Sequence, residues 1–162
     1  MISKQAVKLF PLSNPVHCLA VGFGSGLFKT APGTMGTLAA IPLFVLCSLT
    51  LPTLGVWILT GLMCVVGIAI CGKSADDAKV HDHPAIVWDE FCGIFITLLA
   101  APLSWHSVII GFVLFRFFDI FKPWPISYLD KHCQGGFGIM IDDIVAGVFS
   151  FVMLATINYY FF

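Results

Sequence analysis

Charge is what this sequence has least of. Of its 162 residues only 10% are Asp, Glu, Lys or Arg and 59% are apolar, against about 25% and about 45–50% in soluble domains. Three stretches, 30–72, 91–115 and 144–162, hold no charged residue at all. A helix needs about 20 residues to cross about 30 Å of hydrocarbon. The absence of charge therefore excludes an ordinary water-soluble domain and predicts a chain embedded in a bilayer. There is no basic run, and the formal net charge is -1, so no electrostatic footprint for nucleic acid exists. The six cysteines form no CxxC pair; they read as small hydrophobes in or beside apolar segments, not as disulfides or zinc ligands. Behind Lys4 and Lys8, residues Pro11, Pro15, Gly22, Gly24 and Gly26 break the apolar run that a cleaved signal peptide would need. The length fits one domain, 1–162.

Turn chemistry divides what remains. Residues 1–35 read as an interfacial segment ending in a Gly- and Pro-rich loop. The signal Leu51-Pro52-Thr53-Leu54-Gly55 splits the first apolar stretch into helices over about 37–50 and 54–72. A polar connection, 73–90, follows. Stretch 91–115 is either one crossing or two half-length helices broken at Ala101-Pro102-Leu103-Ser104-Trp105-His106. Turning back there places all eight Lys and Arg on one side, whereas a single crossing splits them five to three. The positive-inside rule favours the first arrangement and makes that side cytoplasmic. A second polar connection, 116–143, contains a helix end near Lys122 before Pro123 and Pro125, and 144–162 is the last span, closed by an aromatic anchor at Tyr159-Tyr160-Phe161-Phe162. Half-length helices persist at membrane depth only when packed against protein. The expected fold class is all-α: a compact polytopic membrane helix bundle with short re-entrant or broken helices.

The few ionisable residues crowd the ends of the apolar stretches. Asp89 and Glu90 precede one, and Asp142 and Asp143 precede another. One acid at a helix start is a cap favoured by the macrodipole, but two adjacent acids at two separate starts exceed what capping asks for. Carboxylates about 4 Å apart repel by about 4 kcal/mol at an effective dielectric of 20, and a divalent cation removes that conflict. Oxygen-only ligands point to a hard ion, Mg²⁺ before Mn²⁺ or Ca²⁺. Arg116, Asp119 and Lys122 recur every three residues, which reads either as an i, i+3 salt-bridge ladder or as a phosphate clamp beside a metal. The loop Gly22-Phe23-Gly24-Ser25-Gly26, with Lys29 and Thr30 behind it, could wrap phosphate through backbone N–H groups, although it does not match GxxxxGK[ST]. His81-Asp82-His83 reads as a solvated loop, and His106 as a helix-break residue.

Four blocks, Lys29–Gly36, Ile86–Gly93, Phe115–Ile126 and Gly135–Gly147, together resemble the signature of the phosphatidylglycerophosphatase A family in order and spacing over about residues 14–150. The resemblance implies a Mg²⁺-dependent phosphatase that hydrolyses phosphatidylglycerophosphate to phosphatidylglycerol in phospholipid synthesis, multi-pass in the bacterial inner membrane with its site on the cytoplasmic face. Carried onto this chain, it makes Asp89, Glu90, Asp142 and Asp143 the metal-ligand candidates, with Asp119 and Asp82 as further ones. Lys29, Thr30, Arg116 and Lys122 become phosphate contacts, and Asp119 joins Arg116 and Lys122 in catalysis. No CxxxxxR or DxDx[TV] block supports a covalent cysteine or aspartyl-phosphate route. The rival readings are a CDP-alcohol-type phosphatidyltransferase, whose DGxxAR block is missing here, and a non-enzymatic transporter, in which intramembrane carboxylates are also usual.

Overall fold

The computed structural model describes residues 2–80 and 83–161. Its helices are α1 (Lys4–Leu9), α2 (Pro15–Ala20), α3 (Pro32–Thr50), α4 (Thr53–Ala78), α5 (Trp88–Leu98), α6 (Trp105–Phe121), α7 (Ile126–His132) and α8 (Gly135–Phe161), with a 3₁₀ turn over Gly22–Leu27. No β-strand occurs among the described residues, which carry a single isolated bridge, Ile2 to Phe28. Three of the described helices, α3, α4 and α8, are long and apolar enough to cross a membrane.

Proline and serine set the reversals. Pro32 opens α3 behind Ala31, which takes the left-handed conformation (φ 47°), and Pro52 precedes α4. Pro42 lies inside α3, which continues through it. After α5 the chain turns at 99–104, and the Ser104 hydroxyl caps α6 by accepting from the Ser107 amide at 3.1 Å. This turn meets the far ends of α3 and α4, where Leu98 to Leu103 share a hollow with Phe44, Ser48 and Thr53. Stretch 91–115 thus goes in and comes back, and the single-crossing alternative falls. The elements bearing all eight Lys and Arg lie at the other end of the bundle, closed over by the N-terminal segment. His17 of α2 bonds Asp77 of α4 at 3.0 Å, the Val87 amide donates to the Ala20 carbonyl at 2.8 Å, and Phe10 is buried against the rings of His17 and His83.

Three boundaries differ from the sequence reading, the first being α3, which begins at Pro32 and not at about 37. α4 runs on to Ala78, and α8 begins at Gly135, so the polar connections are shorter than composition suggests. The Gly135-Gly136 pair, read as loop, is instead a close contact: a Cβ at Gly136 would run into the Ile68 carbonyl and Gly72 of α4. Small residues at helix crossings are how membrane bundles pack when no hydrophobic force drives helix to helix. In consequence Asp142 and Asp143 stand two turns inside α8, not at its start.

α8 is the central helix, packed on α4, α5, α6 and α7. Gly147 of α8 meets the backbone of Gly93 in α5, where an added Cβ would sit 2.6 Å from the Gly93 carbonyl oxygen. Gly147→Val should therefore force the site-bearing helices apart and cost about 1–3 kcal/mol, the usual penalty for overpacking. Thermal unfolding in detergent checks this, and a midpoint equal to the parent's would remove the close-packing argument.

Candidate active site

At the cation-rich end, one cleft of about 430 Å³ collects residues from five helices: Asp89 and Glu90 of α5, Arg116 and Asp119 of α6, Asp142 and Asp143 of α8, Asp130 of α7 and the first residues of α3. Lys122, just past α6, joins them. Sequence positions some fifty residues apart meet because α5 and α6 form a hairpin that α8 packs against.

Asp89, Glu90 and Asp143 each offer a carboxylate oxygen within 4.8 Å of the others, and Asp89 and Asp143 are buried. Asp89 Oδ1 accepts from the Glu90 amide at 3.1 Å. Glu90 Oε2 is buried with no hydrogen-bond partner among the described residues. Desolvation, reinforced by Asp143 and Asp119, pushes the Glu90 carboxyl up to about 8, although Asp89 and Arg116 pull the other way. Three converging acids, one with an orphaned oxygen, fit a hard divalent cation by their chemistry. Gly33 makes the approach possible, since a Cβ there would strike the Glu90 carboxylate.

Asp142 does not join that group. Consecutive helical residues point about 100° apart, so with Asp143 turned toward α5, Asp142 faces α7 and the end of α6. Its Oδ2 accepts from Lys122 Nζ at 2.6 Å, and Asp130 Oδ1 accepts from the same ammonium at 2.6 Å. Burial works against the Lys122 charge, yet the bonds to Asp130 and Asp142 outweigh it and hold the ammonium above its ordinary pKa. The salt-bridge ladder is therefore half realised. Arg116 pairs with Asp119, while Lys122, in the left-handed conformation at φ 42°, turns to Asp130 and Asp142. Arg116 Nη1 also reaches Thr37 Oγ1 at 3.5 Å, and its Nε is buried without a partner among the described residues.

The remaining sequence candidates lie elsewhere. Lys29 and Thr30 are exposed and outside the cleft lining, which begins at Ala31. Lys29 instead lines a neighbouring hollow that shares Pro32 and Pro84 with the cleft. Of the two further metal candidates, Asp119 lines the cleft paired with Arg116, and Asp82 lies outside the described residues, as does His81. The sequence reading missed Asp130, since the break at Pro123 and Pro125 hides its relation to Lys122 from any helical period. It also passed over Gly67-Ile68-Ala69-Ile70-Cys71-Gly72-Lys73-Ser74, which spells GxxxxGK[ST]. All eight residues are inside α4, so their amides are committed to the helix and cradle no phosphate.

A profile of the family described as Phosphatidylglycerophosphatase A matches residues 18–158. A phosphatidylglycerophosphatase A of Haemophilus influenzae is 47% identical over 99% of this chain and 99% of its own. One of Escherichia coli K12 is 51% identical over 98% of this chain and 91% of its own. A Bacteroides thetaiotaomicron protein, provisionally named a phosphatidylinositol-3-phosphatase, is 38% identical over 85% of this chain and 89% of its own. No solved structure matches the chain.

Proposed function

Because the chain belongs to the phosphatidylglycerophosphatase A family, we propose that it hydrolyses phosphatidylglycerophosphate with Mg²⁺ held by Asp89, Glu90 and Asp143, at the cytoplasmic face of a bacterial inner membrane. The enzyme class follows from the family: a phosphatidylglycerophosphatase, a phosphoric monoester hydrolase of phospholipid synthesis. The observation that carries the metal reading is the converging trio of carboxylates, two of them buried, with the unpartnered Glu90 oxygen. The gathering of Lys and Arg at the site end supports the cytoplasmic face.

A cation bound by those three acids would polarise the phosphoryl oxygens and acidify a water. The protein's own groups do the rest. Arg116 presents a fork of N–H donors, and the Lys122 ammonium, steadied by Asp130 and Asp142, lies in the same cleft wall. Both are charges fixed before the reaction, so developing phosphoryl charge is met without reorganisation. Asp119, oriented by Arg116 and lining the same cleft as the three acids, is the acceptor placed to take a proton from attacking water. Asp142, expected as a metal ligand, acts in this scheme by aiming Lys122.

Phosphate release by purified protein in detergent tests both parts. EDTA should abolish release from phosphatidylglycerophosphate, and excess Mg²⁺ should restore it. Undiminished release in EDTA would refute the metal, and no release in Mg²⁺ would refute the reaction.

A further inference from the structure

The outer face of α6 is apolar along its whole length. Trp105, Ile109, Val113, Phe117, Ile120 and Phe121 are all exposed, about one per turn, while Ser107, Gly111 and Phe115 on the opposite face are buried. At the site end this stripe does not stop short of the cleft. Ile120 is 63% exposed and is at the same time part of the cleft wall, next to Asp119. Across from it stand Ala31, Pro32 and Gly33 at the start of α3. α3 and α6 pack sparsely on one another, and Arg116 to Thr37 is a long contact between them. α8, by contrast, packs closely on α5, α6 and α7 along the back of the cleft.

From this continuity we propose that the lipid substrate reaches the cleft sideways, through the seam between α3 and α6, with its acyl chains lying along the α6 stripe beside Phe117 and Val113. The inference rests on the lipid phosphatase reading above and adds to it a route and a surface. A leaflet's hydrocarbon is about 15 Å deep, half of the bilayer core, or about ten helical residues. Chains hanging from a glycerol at the level of Ile120 therefore pass Phe117 and Val113 and end near Ile110. The direction of the stripe matches a lipid anchored in the leaflet on the site's side, so the phosphate can enter the cleft while the chains stay in hydrocarbon. Access from the aqueous end would instead draw methylenes into water, at a cost that grows with each one.

The test compares two substrates: a long-chain phosphatidylglycerophosphate in mixed micelles and its deacylated, water-soluble headgroup. In Phe117→Ser, the ratio of kcat/KM for the long-chain substrate to that for the headgroup should fall about tenfold, through KM, the size expected for one lost apolar contact. Leu62→Ser, on the exposed face of α4, should leave the ratio at the parent value. A proportional loss on both substrates, or no change in the ratio, would overturn the seam. Photolabelling of the parent protein decides the matter even if Phe117→Ser fails to fold. A substrate lipid with a diazirine in its acyl chain should mark 113–121 several-fold over 58–66, and even labelling would overturn the proposal. A parent protein inactive on both substrates refutes the enzymatic reading itself, a result distinct from either of these.

Discussion

Asp143→Asn should reduce phosphate release by more than about a hundredfold, beyond the 10–100-fold that loss of a group merely supporting a metal ligand brings, and added Mg²⁺ should not recover it. Asp89→Asn should do the same, and it is the cleaner test of charge. The Asn oxygen can still accept the Glu90 amide, as Asp89 Oδ1 does now, so the local turn is preserved while one negative charge is removed. Neither substitution should lower the thermal midpoint in the absence of metal, because each relieves repulsion among three crowded acids. If the acids were helix caps, the outcome would be the reverse, with a lost degree of stability and activity retained. Asp143 is two turns inside α8, where no cap can act. Retention of more than about a tenth of the activity, a barrier change of only about 1.4 kcal/mol, would return both residues to a structural role.

Lys122→Met carries the second large effect. Loss of one preorganised charge facing the transferred group typically costs about 10²–10³ in rate, and the half-saturating Mg²⁺ concentration should stay near the parent value, since Lys122 touches none of the three clustered acids. The same change strands Asp142, whose Oδ2 loses its ion pair while its Oδ1 is already buried without a partner among the described residues. Leaving one buried member of a pair uncompensated costs up to about 3–5 kcal/mol, so the single variant should also melt earlier. The double variant Lys122→Met with Asp142→Asn separates the two consequences. It should regain the thermal midpoint and remain slow. Recovery of rate along with stability would show that Lys122 holds the fold and does not face the phosphate.

The helices long and apolar enough to cross a bilayer were legible because their signal is simple: long runs without charge, punctuated by Pro52 and by Pro102 to Ser104. The return of 91–115 was legible through lysine and arginine placement, which is a constraint from membrane electrostatics and not from local propensity. What escaped was the extent of α8. Gly135, Gly136 and Gly138 argue for a loop by propensity, yet Gly136 lies against Ile68 and Gly72 and Gly138 against Cys133; tertiary packing overrode the local preference. That error carried into the site. With Asp142 and Asp143 placed at a helix start, both looked free to converge on one ion, whereas helical geometry sends them to different partners. Lys29 and Thr30 were grouped with the clamp because they share a motif block with Gly33, and only the fold shows that the chain passes from outside the cleft to its wall between Thr30 and Ala31.

One unbroken helix joins the cleft carboxylates Asp142 and Asp143 to the opposite end of the bundle. From Asp143 to Tyr159 is about 24 Å at 1.5 Å per residue, and Tyr159 and Tyr160 project outward at the far end, 82% and 73% exposed. Aromatic side chains of this kind settle at the headgroup level, so α8 works as a ruler measured from the far leaflet. Its substrate phosphates are measured from the near one. A bilayer that thickens by a few Å widens the gap between these two reference planes, and the helix must straighten or the membrane must thin locally to close it, at a fraction of a kcal/mol per Å. With the site placed as proposed above, turnover should therefore change with bilayer thickness, and assay in vesicles of increasing acyl-chain length checks this.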